Sequence, residues 1–178
     1  MPNISLVGFM GSGKTTVGNL LAKQLGFNFV DLDRVIEGKL DMEIDVIFSK
    51  FGEEYFRDVE AEVIKEVLSG VDNTVISCGG GVVLREGNVN VLRERSIVIY
   101  LRISADEAYR RLKHCDDRPL LKDRDRKAVI NDLLRIREPL YLRAAHMVVD
   151  VDGKEPQDLV NELLQKLPTE VVGDSRSS

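Results

Sequence analysis

The run Gly8-Phe9-Met10-Gly11-Ser12-Gly13-Lys14-Thr15, followed by Thr16, satisfies the pattern G-x-x-x-x-G-K-[ST]. Residues of these types at this spacing do one kind of chemistry well. Glycines let the backbone fold into a loop whose N–H groups converge on phosphate oxygens, and a following helix adds partial positive charge from its N-terminus. Lys14 can reach β- and γ-phosphates, and the Thr15 hydroxyl can ligate Mg²⁺. The dinucleotide fingerprint G-x-G-x-x-G is not met, because Thr16 stands where its third glycine belongs. The implied ligand is a nucleoside triphosphate rather than a nicotinamide dinucleotide.

Further residues suit a phosphoryl acceptor. Asp31 and Asp33 close the segment Phe29-Val30-Asp31-Leu32-Asp33, and strand alternation would put both carboxylates on one side. One acid could serve a metal ion and the other an acceptor hydroxyl. A helix N-cap with a solvated neighbour is the alternative. Gly79-Gly80-Gly81 follows an apolar run, where close approach of a ligand to backbone competes with a plain turn. Arg57 lies three residues before Glu60, a spacing that also suits a surface ion pair, yet it borders an apolar stripe. Arg137 opens Arg137-Glu138-Pro139-Leu140-Tyr141, and a guanidinium fork fits a carboxylate or phosphate. Arg118, in Asp116-Asp117-Arg118-Pro119-Leu120, could stabilise charge on a transferring group if its loop closes over the triphosphate.

These residues need elements to hold them. Five short apolar segments, 4–7, 28–31, 74–78, 97–101 and 147–151, read as strands buried on both faces of a parallel sheet. Helical period fills the intervals. Val17, Leu20, Leu21 and Leu25 form one stripe with Gly26 as its C-cap, and Tyr55, Phe56, Val59, Val63 and Val67 form another. Pro156 opens a third helix at a first-turn position. Alternating strands and helices predict a three-layer α/β/α sandwich in a single domain over 1–167. Its substrate-binding segment is placed at about 33–60 and a lid at about 112–127, because long insertions in such domains bind ligands. The tail 168–178 is expected to fray.

Composition bounds the rest. The 178 residues are 43% hydrophobic and 31% charged, with a net charge of -5, and the longest unbroken apolar run, Ile97 to Leu101, is far too short to span a bilayer. Neither nucleic acid nor membrane is the expected partner. Two cysteines and two histidines form no disulfide framework or zinc pattern, and no secretory signal opens the chain, so a cytoplasmic protein is expected. Charge is nonetheless divided: 102–137 holds eleven basic and seven acidic residues, a local +4 against -9 elsewhere. A small anionic partner met locally fits that division.

Taken in order, Gly8-x-x-Gly11-x-Gly13-Lys14-Thr15, Asp31-x-Asp33, Phe56-Arg57-x-x-Glu60, Gly79-Gly80-Gly81, Arg118-Pro119-Leu120 and Arg137-x-Pro139-Leu140-Tyr141 closely resemble shikimate kinase. The resemblance implies a P-loop fold of the nucleoside-monophosphate-kinase type, with five parallel strands in order 2-3-1-4-5, acting as a monomer. It implies transfer of the ATP γ-phosphoryl group to the 3-hydroxyl of shikimate, on the route to chorismate and aromatic amino acids, with Mg²⁺ as cofactor. By the same resemblance Gly11, Ser12, Gly13, Lys14, Thr15 and Thr16 would hold ATP, with Thr15 and Asp31 serving the metal. Asp33 would bind the acceptor hydroxyls, while Arg57, Arg137 and the backbone of Gly79, Gly80 and Gly81 would hold its carboxylate. Glu60 would orient Arg57, Arg118 would act from the lid, and Arg111 and the loop to Lys154 would flank adenine. Two other readings stay open: a kinase of the same fold with an acceptor such as gluconate, and a nucleotide-binding module without catalysis.

Overall fold

The computed structural model describes residues 2–113 and 125–173. Five parallel strands form one sheet: β1 (Asn3–Val7), β2 (Asn28–Asp31), β3 (Thr74–Ser77), β4 (Ser96–Arg102) and β5 (Met147–Asp150). Their order is β2-β3-β1-β4-β5, as the resemblance implied. The three central strands carry the most buried apolar residues, including Ile4, Leu6, Val75, Ile76, Ile99 and Leu101. The edge strands are only partly covered, so burial on both faces holds for the middle of the sheet and not for its margins.

Helices cover the sheet in two groups. Helix α1 (Lys14–Leu25) packs on α7 (Pro156–Lys166), while α3 (Ile44–Gly70) packs on α2 (Leu32–Leu40) and α4 (Glu86–Arg95). Helix α5 (Ala105–Leu112) lies against α6 (Arg126–Ala144), which also meets α4. Gly26 caps α1 in the left-handed conformation, its N–H reaching the Ala22 and Lys23 carbonyls, and Pro156 stands at the start of α7. The stripe on α1 differs in detail from the expected one. Val17, Gly18, Leu21 and Ala22 are buried, and Leu20 and Leu25 only partly so. Gly18 is required by closeness, since a Cβ there would meet the Phe29 ring at 2.6 Å. Small residues therefore bring α1 down onto the sheet, and with it the loop that precedes it.

The segment expected to bind substrate, about 33–60, runs through α2 and into α3. Helix α3 is interrupted at Gly52, whose φ of 85° and ψ of 170° only glycine adopts cheaply. Phe56, Val59 and Val63 face the core, but Tyr55 turns outward and pairs its ring with Phe51 at 4.7 Å. The chain after Pro168 does not begin loosely as expected. It makes one helical turn, α8 (Thr169–Val172), whose Val171 is buried.

Candidate active site

The carboxyl ends of β1, β2 and β3 lie side by side, and the chemically equipped residues leave the sheet there. After β1 the chain makes the glycine loop. Gly11 and Gly13 take φ of 80° and 90°, the left-handed region that lets consecutive N–H groups turn inward. The Lys14 ammonium bridges the loop, donating to the Gly8 carbonyl at 2.8 Å and the Phe9 carbonyl at 3.0 Å. Ser12 places its side chain behind the loop, buried, with its N–H bonded to the Phe9 carbonyl. Thr15 and Thr16 open α1 at the mouth of a hollow of about 620 Å³, also lined by Met10, Gly11, Gly13 and Lys14.

Asp31 supplies the helix cap that the sequence offered as an alternative, and it also reaches Thr15. Its Oδ1 accepts the Asp33 N–H at 3.0 Å and so caps α2, while Oδ2 accepts the Thr15 hydroxyl at 3.0 Å. The Ser77 hydroxyl lies 3.5 Å from the same threonine oxygen. A cluster of hard oxygens from Thr15, Asp31 and Ser77 suits Mg²⁺ better than any soft metal. Asp33 stands in the first turn of α2 and not on the strand, which corrects the alternation argument. The cap supplied by Asp31 starts the helix at Leu32, inside the stretch that alternation assigns to the strand, and the helical turn aims Asp33 toward the glycine triplet.

That triplet follows β3. None of Gly79, Gly80 and Gly81 has a left-handed φ, so conformation does not explain them. Space does. A Cβ on Gly79 would stand 2.8 Å from Glu60 Oε2 and 3.1 Å from Asp33 Oδ1, and one on Gly81 would stand 2.3 Å from Arg57 Nη2. At Gly79 and Gly81 the turn is therefore bare because side chains from α2 and α3 fill the volume against it, whereas a Cβ on Gly80 would meet its neighbours at ordinary contact distances of 3.5 Å and more.

Arg57 and Glu60 form a buried pair, not a surface one. Arg57 is 8% exposed and Glu60 1%, with Nη1 donating to Oε1 at 3.0 Å. A second, looser bond joins Arg57 to Glu53 at 3.3 Å. The guanidinium also lies 5.2 Å from the Phe56 ring centre and 6.0 Å from that of Phe48, where π-faces favour a cation. Burial pushes the Glu60 carboxyl above its ordinary range, and the nearby Arg57 charge pulls it back. Among the described residues its Oε2 has no hydrogen-bond partner. Arg137, on α6, is equally buried and comes to the same place. Together with Met10, Asp33, Ile44, Phe48 and the three glycines these groups line a second, open hollow. Asp33, Met10, Gly79 and Gly80 line both hollows, so the cationic cleft opens directly onto the phosphate loop.

The expected nucleotide contacts fall into two sets. Arg111 reaches the loop, its Nη1 donating to the Gly11 carbonyl at 2.9 Å while Nε bonds Glu107. Hydrogen bonds from Arg110 and Arg111 hold the Glu107 carboxyl down at about 2. Lys154 lies in the turn after β5, paired with Glu162 at 2.8 Å and outside both hollows. Arg118 and residues 114–124 of the lid expected over 112–127 lie outside the described residues, while Leu112 ends α5 and Arg126 and Lys127 open α6. Sequence reasoning missed Ser77, Phe48 and Met10. Ser77 ends a core strand in register with Asp31 and Met10 occupies a variable position inside the glycine-loop pattern, both usable signals, whereas Phe48 follows no pattern that marks a site.

The family model described as shikimate kinase matches residues 10–168. A curated shikimate kinase of Thermodesulfovibrio yellowstonii is 45% identical over 166 residues, covering 93% of this chain and 95% of that protein. One of Persephonella marina is 44% identical over 167 residues, covering 94% and 99%. Among solved structures, the shikimate kinase of Acinetobacter baumannii in complex with shikimate superposes with a TM-score of 0.90 at 40% identity, over 93% of this chain and 92% of that one. A gluconokinase of Sinorhizobium meliloti reaches a TM-score of 0.56 at 17% identity over 90% and 88%, a likeness of fold alone. Motifs, sheet order and relatives agree over nearly the whole chain, which belongs to the shikimate kinase family.

Proposed function

We propose that this chain transfers the γ-phosphoryl group of ATP to the 3-hydroxyl of shikimate, giving shikimate 3-phosphate and ADP for chorismate and aromatic amino acid synthesis. The observation that carries the reading is the position of Asp33. It borders both the phosphate-loop hollow and the cleft walled by Arg57 and Arg137. A small carboxylic acid with hydroxyl groups, gripped at one end by two guanidinium groups, would present a hydroxyl to Asp33 and to the incoming phosphate together.

The roles follow from chemistry and geometry. Backbone N–H groups of Gly11 to Lys14 and the Lys14 ammonium hold the triphosphate, with Thr16 beside them at the start of α1. Thr15 and Asp31 would hold Mg²⁺, which supplies charge neutralisation on the phosphate oxygens when bound. The acceptor oxygen attacks the γ-phosphorus, the bond to the ADP oxygen breaks, and the hydroxyl proton passes toward the Asp33 carboxylate. A loose transition state asks little of a base, so Asp33 contributes mainly by orienting the nucleophile. Arg118 acts from the lid on the transferring charge, and Arg111 and Lys154 serve the nucleotide end. The family resemblance leans to a working monomer. Among the described residues no helix is long and apolar enough to cross a membrane, in keeping with a cytoplasmic enzyme.

ADP release measured over a panel of acids and polyols, shikimate and gluconate among them, tests the reading. Turnover is expected with shikimate, and no rate with it would refute the proposal. A finer expectation concerns Gly81→Ala. The added methyl must displace the Arg57 guanidinium, so titration should show shikimate binding weakened at least about tenfold with ATP affinity unchanged.

A further inference from the structure

Tyr141 belongs to the Arg137-to-Tyr141 motif but lines neither hollow, so it touches no ligand there. It is fully buried, and its hydroxyl donates to the Gly80 carbonyl. The turn itself occupies the neighbouring carbonyls: Val82 N–H bonds Gly79 and Leu84 N–H bonds Gly81. Among the described residues Tyr141 is the side chain that meets the middle one. Arg137, one helical turn earlier, lies close enough for its charge to act on the same hydroxyl. Its Nη1 also runs alongside Gly80, 3.6 Å from where a Cβ would stand. The ring is fixed from behind by Tyr100 of β4, stacked at 5.0 Å between centres. Burial pushes the Tyr141 hydroxyl up to about 12, against the pull of Arg137, so it remains a donor throughout the neutral range.

We propose that the Tyr141 hydroxyl is a positioning group: it locks the Arg137 guanidinium and the Gly80 backbone to each other and thereby sets the grip on the acceptor carboxylate. The inference rests on the reading above that Arg137 binds that carboxylate. One hydroxyl joins two elements, α6 and the glycine turn, that otherwise approach the cleft from opposite sides of a gap in the sequence of over fifty residues. Without it the Gly80 carbonyl loses its partner and Arg137 loses a fixed neighbour, while every group that meets the ligand is still present.

The test is a cycle of Tyr141→Phe, Arg137→Ala and the double variant, with shikimate and ATP dissociation constants, steady-state kinetics and melting curves for each. Tyr141→Phe is expected to raise shikimate Kd and KM about tenfold, the worth of one buried hydrogen bond, with kcat and ATP affinity changed by less than about twofold. In the Arg137→Ala background the same substitution is expected to add less than about twofold, because its effect acts through Arg137. A shikimate Kd unchanged by Tyr141→Phe while Arg137→Ala weakens it overturns the proposal. So does a loss that persists undiminished in the double variant, or a Tyr141→Phe protein that no longer unfolds cooperatively, since the hydroxyl would then serve the fold. If Arg137→Ala itself leaves shikimate binding intact, the carboxylate reading fails and the proposal falls with it, a result distinct from the others.

Discussion

Lys14→Ala should lower kcat by at least about 10²–10³-fold in the coupled assay while leaving the shikimate dissociation constant within about twofold. The asymmetry follows from where the ammonium lies. It bridges the Gly8 and Phe9 carbonyls at the floor of the phosphate loop and lines only that hollow, on the far side of Asp33 from the cationic cleft. Phosphoryl transfer depends on placing fixed positive charge where the triphosphate gathers negative charge, and an ammonium in a partly enclosed loop does this without reorganising. The loop keeps its glycine-dictated shape in the variant, because the left-handed Gly11 and Gly13 and the seating of α1 through Gly18 do not involve Lys14. A variant with near-normal kcat would remove Lys14 from the chemistry.

Arg57→Ala should act on the other substrate and also on the fold. Loss of a charge-assisted contact in a closed cleft costs about 2–4 kcal/mol, so shikimate Kd should rise by roughly thirtyfold to a thousandfold, with ATP affinity little changed. An unchanged shikimate Kd would refute the carboxylate contact. The second effect comes from Glu60, which is 1% exposed and has Arg57 as its charged hydrogen-bond partner. Stranding one member of a buried pair costs about 3–5 kcal/mol. Burial already holds the Glu60 carboxyl above its ordinary range, and removal of Arg57 takes away the largest influence lowering it. With its folded value raised, Glu60 binds a proton in the native state that the unfolded chain releases on the alkaline side of the ordinary carboxylate value. Native stability is thus retained below that value and lost as pH rises toward the folded one. Melting curves of Arg57→Ala should show the deficit against wild type shrinking from pH 7.5 to pH 5. A constant deficit would mean that Glu60 does not titrate there.

Much of this site could be read from the chain because its requirements are local. The phosphate loop demands particular backbone angles at fixed spacing, and Gly11, Gly13 and Lys14 state that demand within a few residues. Strand and helix alternation likewise followed from short-range periodicity, whereas the strand order came through the family resemblance. What remained hidden was set by packing between distant segments. The glycine triplet looked like an invitation to a ligand or a loose turn, and the immediate cause at Gly79 and Gly81 is the volume taken by Arg57, Glu60 and Asp33. Asp33 looked like a strand residue because nothing in the alternation reveals that Asp31 caps a helix at that point. Tyr55 continued an apolar stripe on paper, but it lies just beyond the break at Gly52 and turns outward. Phe48 lies before that break and returns to face Arg57, a contact that only the bend makes possible.

The central position of β1 also bears on the order in which the molecule can assemble. The first strand made is the one flanked on both sides by strands made much later, Ile4 pairing with Val75 on one edge and Ile97 on the other. A growing chain therefore carries the glycine loop for tens of residues before either neighbour exists to hold its stem. Pairings so distant in sequence slow folding, since long loops must close before contacts reward them. Only when β4 has been completed at Arg102 does β1 have its full complement of backbone partners. The nucleotide loop is first in the sequence, yet its stem acquires both flanking strands only after more than half of the chain has been laid down.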